Sequence, residues 1–213
     1  MLTVLGRATS VNVQIVMFAV AELGLPFDRQ DFGHVHGGVD TPEFLAKNPN
    51  GRVPVLIDGD LVMFESCAIA RYLAAQYGSD AFWPKDTKAR ARIDVWAEWG
   101  KTSLYEGFTA PIFWPGVRLA AKDRDEAAFV ASLKRFDGLL AILEAQIGDQ
   151  PFICGVDFTL ADIVNGSILF RYFDMDIPRR DRPVLRSYYD RLCVRPAYRD
   201  HVMVSYDSLR AGA

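Results

Sequence analysis

The chain has 213 residues, half of them hydrophobic, and a formal net charge of −3. That is enough apolar material for one or two ordinary cores, and charges of both signs are interspersed, which excludes the basic stripe that holds a nucleic acid. The start, where Thr3 and Arg7 interrupt a short apolar run, does not read as a signal peptide, and nothing approaches a membrane span of ~18 apolar residues, so a cytoplasmic location is expected.

Residues Leu2 to Leu5 read as a short strand. Asn12 to Leu23 reads as a helix with Val13, Val16, Val20 and Leu23 on one side, closed by Gly24 and Pro26, and Phe27 to Phe32 as a second strand. This is a βαβ unit. The segment from Gly33 to Lys47 carries Gly37-Gly38 and Thr41-Pro42, with a helical turn expected at Glu43 to Ala46. His34 and His36 alternate along what reads as extended chain and so share a face; His201, the remaining histidine, is far away in sequence, so an exposed pair is expected and no metal site.

Pro54 has no N–H and opens the apolar run Val55-Leu56-Ile57, which suits a strand start or an edge. The Val53-Pro54 bond is a candidate for cis geometry, which would turn the polar groups of Val53 away from the ladder. Asp58-Gly59-Asp60 then reads as a hairpin turn, with Leu61 to Phe64 as the returning strand. Glu65-Ser66 follows, and the spacing of Ala68, Ile69, Tyr72 and Leu73 predicts a helix that stops near Gly78, with Ser66 at or near its N-cap.

Trp83-Pro84 and Lys85-Asp86 break the helical period, so the division expected is residues 1–79 and 87–213, with a linker at about 80–86. The second half reads as helical throughout: Thr87 to Phe108, Arg124 to Ile147, and Val184 to Arg195 followed by a short helix after Pro196. Between them, Phe158-Thr159-Leu160-Ala161-Asp162-Ile163 combines a hydrophobic staple with a pair of the capping-box type. The fold class expected is an α+β N-terminal domain of order β-α-β-α-β-β-α followed by an all-α domain.

Two features a dozen residues apart suggest a ligand. Val53 offers a peptide-docking edge, and the helix start at Ser66 offers unpaired N–H groups to a carboxylate, with Glu65 beside it for an ammonium. An α-amino acid head supplies both charges, and glutathione joins such a head to a peptide backbone. Taken singly, Ser66 is a cap and Pro54 an edge; their order is the more specific signal.

With these elements, and with Gly6, Arg7, Ser10, Asn12 and Val13 matching the N-terminal pattern of certain bacterial members, the chain resembles the cytosolic glutathione transferases over nearly its full length. Within that superfamily it is similar to the serine/asparagine-type (theta/nu-like) enzymes. The resemblance implies a thioredoxin-like first domain, glutathione as cosubstrate, a homodimer, and an activating hydroxyl in the turn before the first helix. Ser10 stands there. Asn12 matches a second polar residue of the related enzymes, and Thr9 competes because a one-residue shift exchanges the two hydroxyls. Ser10 and Asn12 would also serve as plain helix caps. The first tyrosine is Tyr72, which excludes a tyrosine donor in that turn. Arg52 matches a basic or amide position that reaches the glycine carboxylate of glutathione.

A free thiol has a pKa of about 8.5, so the protein's task would be to favour the thiolate near neutral pH. The three cysteines, Cys67, Cys154 and Cys193, form no Cys-x-x-Cys and fit a reducing compartment. Conjugation to a small hydrophobic electrophile is the leading expectation. Glutathione-dependent peroxidase, disulfide-exchange or dehalogenase chemistry, and a non-catalytic binding protein, are the alternatives.

Overall fold

The computed structural model describes residues 1–212. Strands β1 (Leu2–Leu5), β2 (Phe27–Gln30), β3 (Val55–Asp58) and β4 (Leu61–Phe64) form one sheet in the order β2-β1-β3-β4. β1 and β2 are parallel, which requires the crossover through α1 (Val11–Glu22); β1–β3 and β3–β4 are antiparallel. Asp58 pairs with Leu61, and Gly59 takes φ +60° in the two-residue turn between them. After the short α2 (Pro42–Leu45), capped by Thr41 Oγ1 accepting from the Phe44 N–H, the sheet unit ends in α3 (Ser66–Tyr77).

The helical part comprises α4 (Thr87–Trp99), α5 (Glu106–Phe108), α6 (Trp114–Arg118), α7 (Glu126–Ile147), α8 (Leu160–Asp174), α9 (Pro183–Cys193) and α10 (Pro196–His201). The helix expected to end at Phe108 instead runs on to Arg118 through two wider π-helical stretches, Gly100–Tyr105 and Thr109–Phe113. The causes are visible. Asn165 Nδ2 donates to the Trp96 carbonyl (2.9 Å) just before the first widening, and Pro111 brings no N–H to the second. Gly100 is needed at that crossing, because a Cβ there would lie 2.7 Å from the Asn165 side chain.

A second expectation is corrected. His34 and His36 lie not on extended chain but in a 3₁₀ turn (His34–His36), with His34 at φ +56° between Gly33 and Gly37. Glycines on both sides let the chain reverse there, and alternation along the sequence no longer means a shared face.

Helix α1 shows more than its predicted single apolar side. Val13, Ile15, Val16, Phe18, Ala19 and Val20 are all fully buried. The helix packs against α3, α8 and α10, so no face is left for water. α8 is likewise buried along almost its whole length, and Tyr198 of α10 donates to the Gly166 carbonyl at 2.9 Å. Among the described residues, no helix is long and apolar enough to cross a membrane.

The start of α8 is held by Asp162. Its buried carboxylate accepts from the N–H groups of Ile153 (3.0 Å) and Thr159 (2.8 Å), the Thr159 hydroxyl (3.1 Å) and the Tyr188 hydroxyl (3.0 Å). Burial pushes its pKa up to about 6, while the four donors oppose the rise and leave it ionised at neutral pH. Asp162→Ala strands several buried donors at ~1–3 kcal/mol each, so a loss of about 4 kcal/mol in denaturant unfolding is expected. A loss under about 1 kcal/mol would show that the network does not anchor α8.

Candidate functional site

A cavity of about 240 Å³ opens where the β1–α1 turn meets the helical part. One side is formed by Arg7, Thr9, Ser10 and Asn12, the next by Gly33, His34, Gly51, Arg52 and Val53, and the far side by Tyr105, Thr109, Trp114 and, from α8, Arg171. The β1–α1 turn was expected to share a cleft with Val53 and Ser66; it shares the cavity with Val53 and Arg52, and Ser66 lies outside the lining. Val53 precedes the ladder, which begins at Val55, and its backbone N–H and C=O have no partner among the described residues. The Val53-Pro54 bond is cis. Asn48 Nδ2 donates to the Arg52 carbonyl at 2.6 Å and holds this segment in place.

Ser10 occupies the N-cap position of α1, yet its hydroxyl makes no cap hydrogen bond. The turn is secured without it. Ser10 N–H donates to the Arg7 carbonyl (3.2 Å), Gln14 N–H to the Ser10 carbonyl (2.8 Å), and Gln14 Nε2 to the Ala8 carbonyl (2.9 Å). Ser10, a residue only 9% exposed, lines the cavity beside Thr9 with its hydroxyl free of any cap bond.

Asn12 ties three elements together. Its Oδ1 accepts from Lys101 Nζ (2.6 Å) and from the Ser66 hydroxyl (3.3 Å), and its Nδ2 donates to the Tyr105 hydroxyl (3.4 Å). Lys101 can only donate, which settles the orientation of the amide. Lys101 also lies 3.7 Å from the centre of the Tyr105 ring, and burial lowers its pKa.

Ser66 is the first residue of α3 and Glu65 its N-cap. The two do not line the cavity itself; Ser66 is buried and joins it through Asn12, while Glu65 is exposed just beyond. Glu65 is held at φ +71°, ψ 109°, a region costly for a residue with a Cβ. Of the aromatic side chains spaced along the first helix of the second half, Tyr105 and Trp114 reach the cavity, whereas Phe108 is core.

The field at the site is positive. Arg7, Arg52 and Arg171 line the cavity and, among the described residues, no carboxylate does. The pKa of Arg7 is lowered by burial and by nearby Arg118, and that of His34 by burial and by Arg7 and Arg118. Tyr105 and Trp114 were among the aromatic candidates for this wall, whereas Lys101, Thr109 and Arg171 were not foreseen from the sequence. One signal did exist: Arg171 interrupts the otherwise apolar second half of α8, Ile168 to Phe173. Among the described residues, no group of three or more His, Cys, Asp or Glu is placed to hold a metal ion.

A family model for the glutathione S-transferase N-terminal domain matches residues 1–75, and one for the C-terminal domain matches residues 104–191. The chain is 37% identical over 206 residues to the glutathione S-transferase GstB of Escherichia coli K12, covering 96% of this chain and 99% of that protein. The chain belongs to the glutathione S-transferase family. Within the family it is 31% identical to glutathione S-transferase 3 of Zea mays, with 92% of this chain and 91% of that one aligned. Among solved structures, the theta class glutathione S-transferase of Xanthomonas axonopodis pv. citri with glutathione bound superposes with a TM-score of 0.89 at 40% identity, covering 96% of this chain and 98% of that one. The family's glutathione S-transferase fold, a mixed four-stranded sheet unit followed by helices, is the fold found here.

The backbone of Glu65 predicts a trade-off within this transferase-family site. Glu65→Gly relieves a strained φ and raises stability by roughly 1 kcal/mol in denaturant unfolding, whereas Glu65→Ala does not. Equal effects of the two substitutions would mean that the backbone there is unstrained.

Proposed function

We propose that this chain is a glutathione transferase of the serine type, which ionises bound glutathione at Ser10 and directs the sulfur at a small electrophile in the cavity. The observation that carries the reading is the Ser10 hydroxyl. It stands where a cap belongs, makes no cap bond and faces an electropositive cavity. Donating its hydrogen to the sulfur lets it stabilise a thiolate, assisted by the N–H groups that open α1. Asn12 orients the donor turn relative to α3 through Ser66.

In this reading residues 1–79 bind glutathione and 87–213 supply the far wall. The tripeptide backbone docks on Val53, Arg52 meets the glycine carboxylate, and the Glu65-Ser66 helix start takes the amino-acid head. The protein acts as a cytoplasmic homodimer, a state light scattering would test. No cysteine lines the cavity, so peroxide reduction or disulfide exchange at this site would have to use the glutathione sulfur itself. Parallel assays with an aryl halide and a peroxide separate those chemistries from conjugation.

The direct experiment follows the ultraviolet absorbance of the thiolate of bound glutathione against pH. Wild type is expected to hold the thiol pKa below the free value of about 8.5. Ser10→Ala raises it by about 1 to 2 and lowers kcat/KM about 10- to 100-fold, with Thr9→Ala changing less. The reverse pattern moves the donor to Thr9, and glutathione bound without any shift defeats the catalytic reading.

A further inference from the structure

Two guanidiniums at this cavity lack the partner that buried charge ordinarily requires. Arg171 is 3% exposed. It donates to the Thr9 carbonyl (2.6 Å) and lies 4.2 Å from the centre of the Phe113 ring, but its Nε is buried without any acceptor. Arg7 Nε is buried and unpartnered as well, in a side chain that makes no ion pair among the described residues. Several partly covered arginines elsewhere in the molecule are matched by carboxylates: Arg182 by Asp137 (2.8 Å) and Glu144 (2.9 Å), Arg71 by Asp94 (2.6 Å) and Glu98 (2.5 Å), Arg195 by Glu22.

Removing a cation from water without an anion or a full set of acceptors is costly. Here the cost is compounded, since Arg7 lowers the pKa of Arg171, Arg118 lowers that of Arg7, and among the described residues no carboxylate lines the cavity to offset them. Burial and Arg7 bring the pKa of Arg171 down to about 9, which still leaves it a cation at neutral pH. Thr109 Oγ1, buried and also without a partner, belongs to the same wall. Glutathione's own charged ends have candidates elsewhere, in Arg52 and at the start of α3.

We propose that Arg7 and Arg171, with Thr109 beside Arg171, form an anion subsite between the β1–α1 turn and the far wall of the cavity, and that the electrophile carries a carboxylate that seats there. This rests on the transferase reading above. A planar guanidinium pairs with a carboxylate through parallel N–H···O bonds, so the subsite both selects and orients the substrate. Trp114 and Tyr105 line the same wall and offer apolar surface for the rest of the molecule. With 4-fluoro-3-nitrobenzoate, the thiolate attacks the ring carbon bearing fluorine. The C–S bond forms, the C–F bond breaks, and fluoride leaves with the bonding electrons; the thiol proton has already passed to solvent.

The test compares two finished products of one shape and different charge: S-(4-carboxy-2-nitrophenyl)glutathione and S-(4-carbamoyl-2-nitrophenyl)glutathione. Calorimetry on the full chain is expected to show the carboxylate binding about tenfold tighter, about 1.4 kcal/mol. In Arg7→Gln, and separately in Arg171→Met, the preference is expected to fall to about twofold or less. Because Arg171 also holds the Thr9 carbonyl, Arg7→Gln is the deciding variant. Equal affinities in wild type, or a tenfold preference surviving in Arg7→Gln, overturns the subsite. Should glutathione ionise normally while the two products bind equally, the subsite alone fails; should neither glutathione nor either product bind, the transferase reading fails and the subsite with it.

Discussion

The burial of α1 on every face is the constraint on which the rest of the structure depends. A helix with Val13, Ile15, Val16, Phe18, Ala19 and Val20 all sealed from water can neither rotate nor slide without exposing apolar surface. It is packed by α3 from the sheet unit and by α8 and α10 from the helical part, so one helix holds the two halves of the molecule together. Its N-terminal turn therefore has a defined place, and that turn carries Ser10.

Around that turn the polar contacts arrive from distant parts of the chain. Arg171 reaches the Thr9 carbonyl from α8, Lys101 and Tyr105 reach Asn12 from the first π-helical stretch, and Ser66 reaches it from α3. Each bond is modest alone. Their joint effect is positional, because a group that must stabilise a developing or resident anion works best when it needs no reorganisation. The wider π turns belong to the same logic: they bring Tyr105 and Thr109 to the cavity wall, with Trp114 at their end.

The site also concentrates features that the rest of the fold avoids. Glu65 sits at a strained backbone angle at a helix start, and Arg171 and the Nε of Arg7 are buried without an anion, while Arg182 is paired with two carboxylates. Asp162 makes the contrast clear. It too is a buried charge, yet four donors surround it and it serves the fold. Unsatisfied charge facing a cavity points to a ligand, whereas satisfied charge in the core points to architecture.

Much of this was already written in local sequence. Period-two and period-3.6 patterns with Gly and Pro punctuation placed the strands and most helices, because hydrophobic periodicity and turn chemistry act within a few residues. Val53-Pro54, Glu65-Ser66 and Ser10 were recognisable for the same reason, as strand and helix starts that carry their own unpaired backbone groups. The histidine turn was misjudged, since neighbouring glycines permit a reversal that alternation along the chain does not reveal. Tertiary structure alone could decide the rest. Whether Ser10 spends its hydroxyl as a cap depends on how Gln14 and Ala8 close the turn; how the first long helix widens depends on Asn165 from α8; and the electropositive wall depends on Arg171 packing more than 160 residues away from Thr9. Local pattern specifies which elements form, but a charge has a partner or lacks one only once distant segments have packed together.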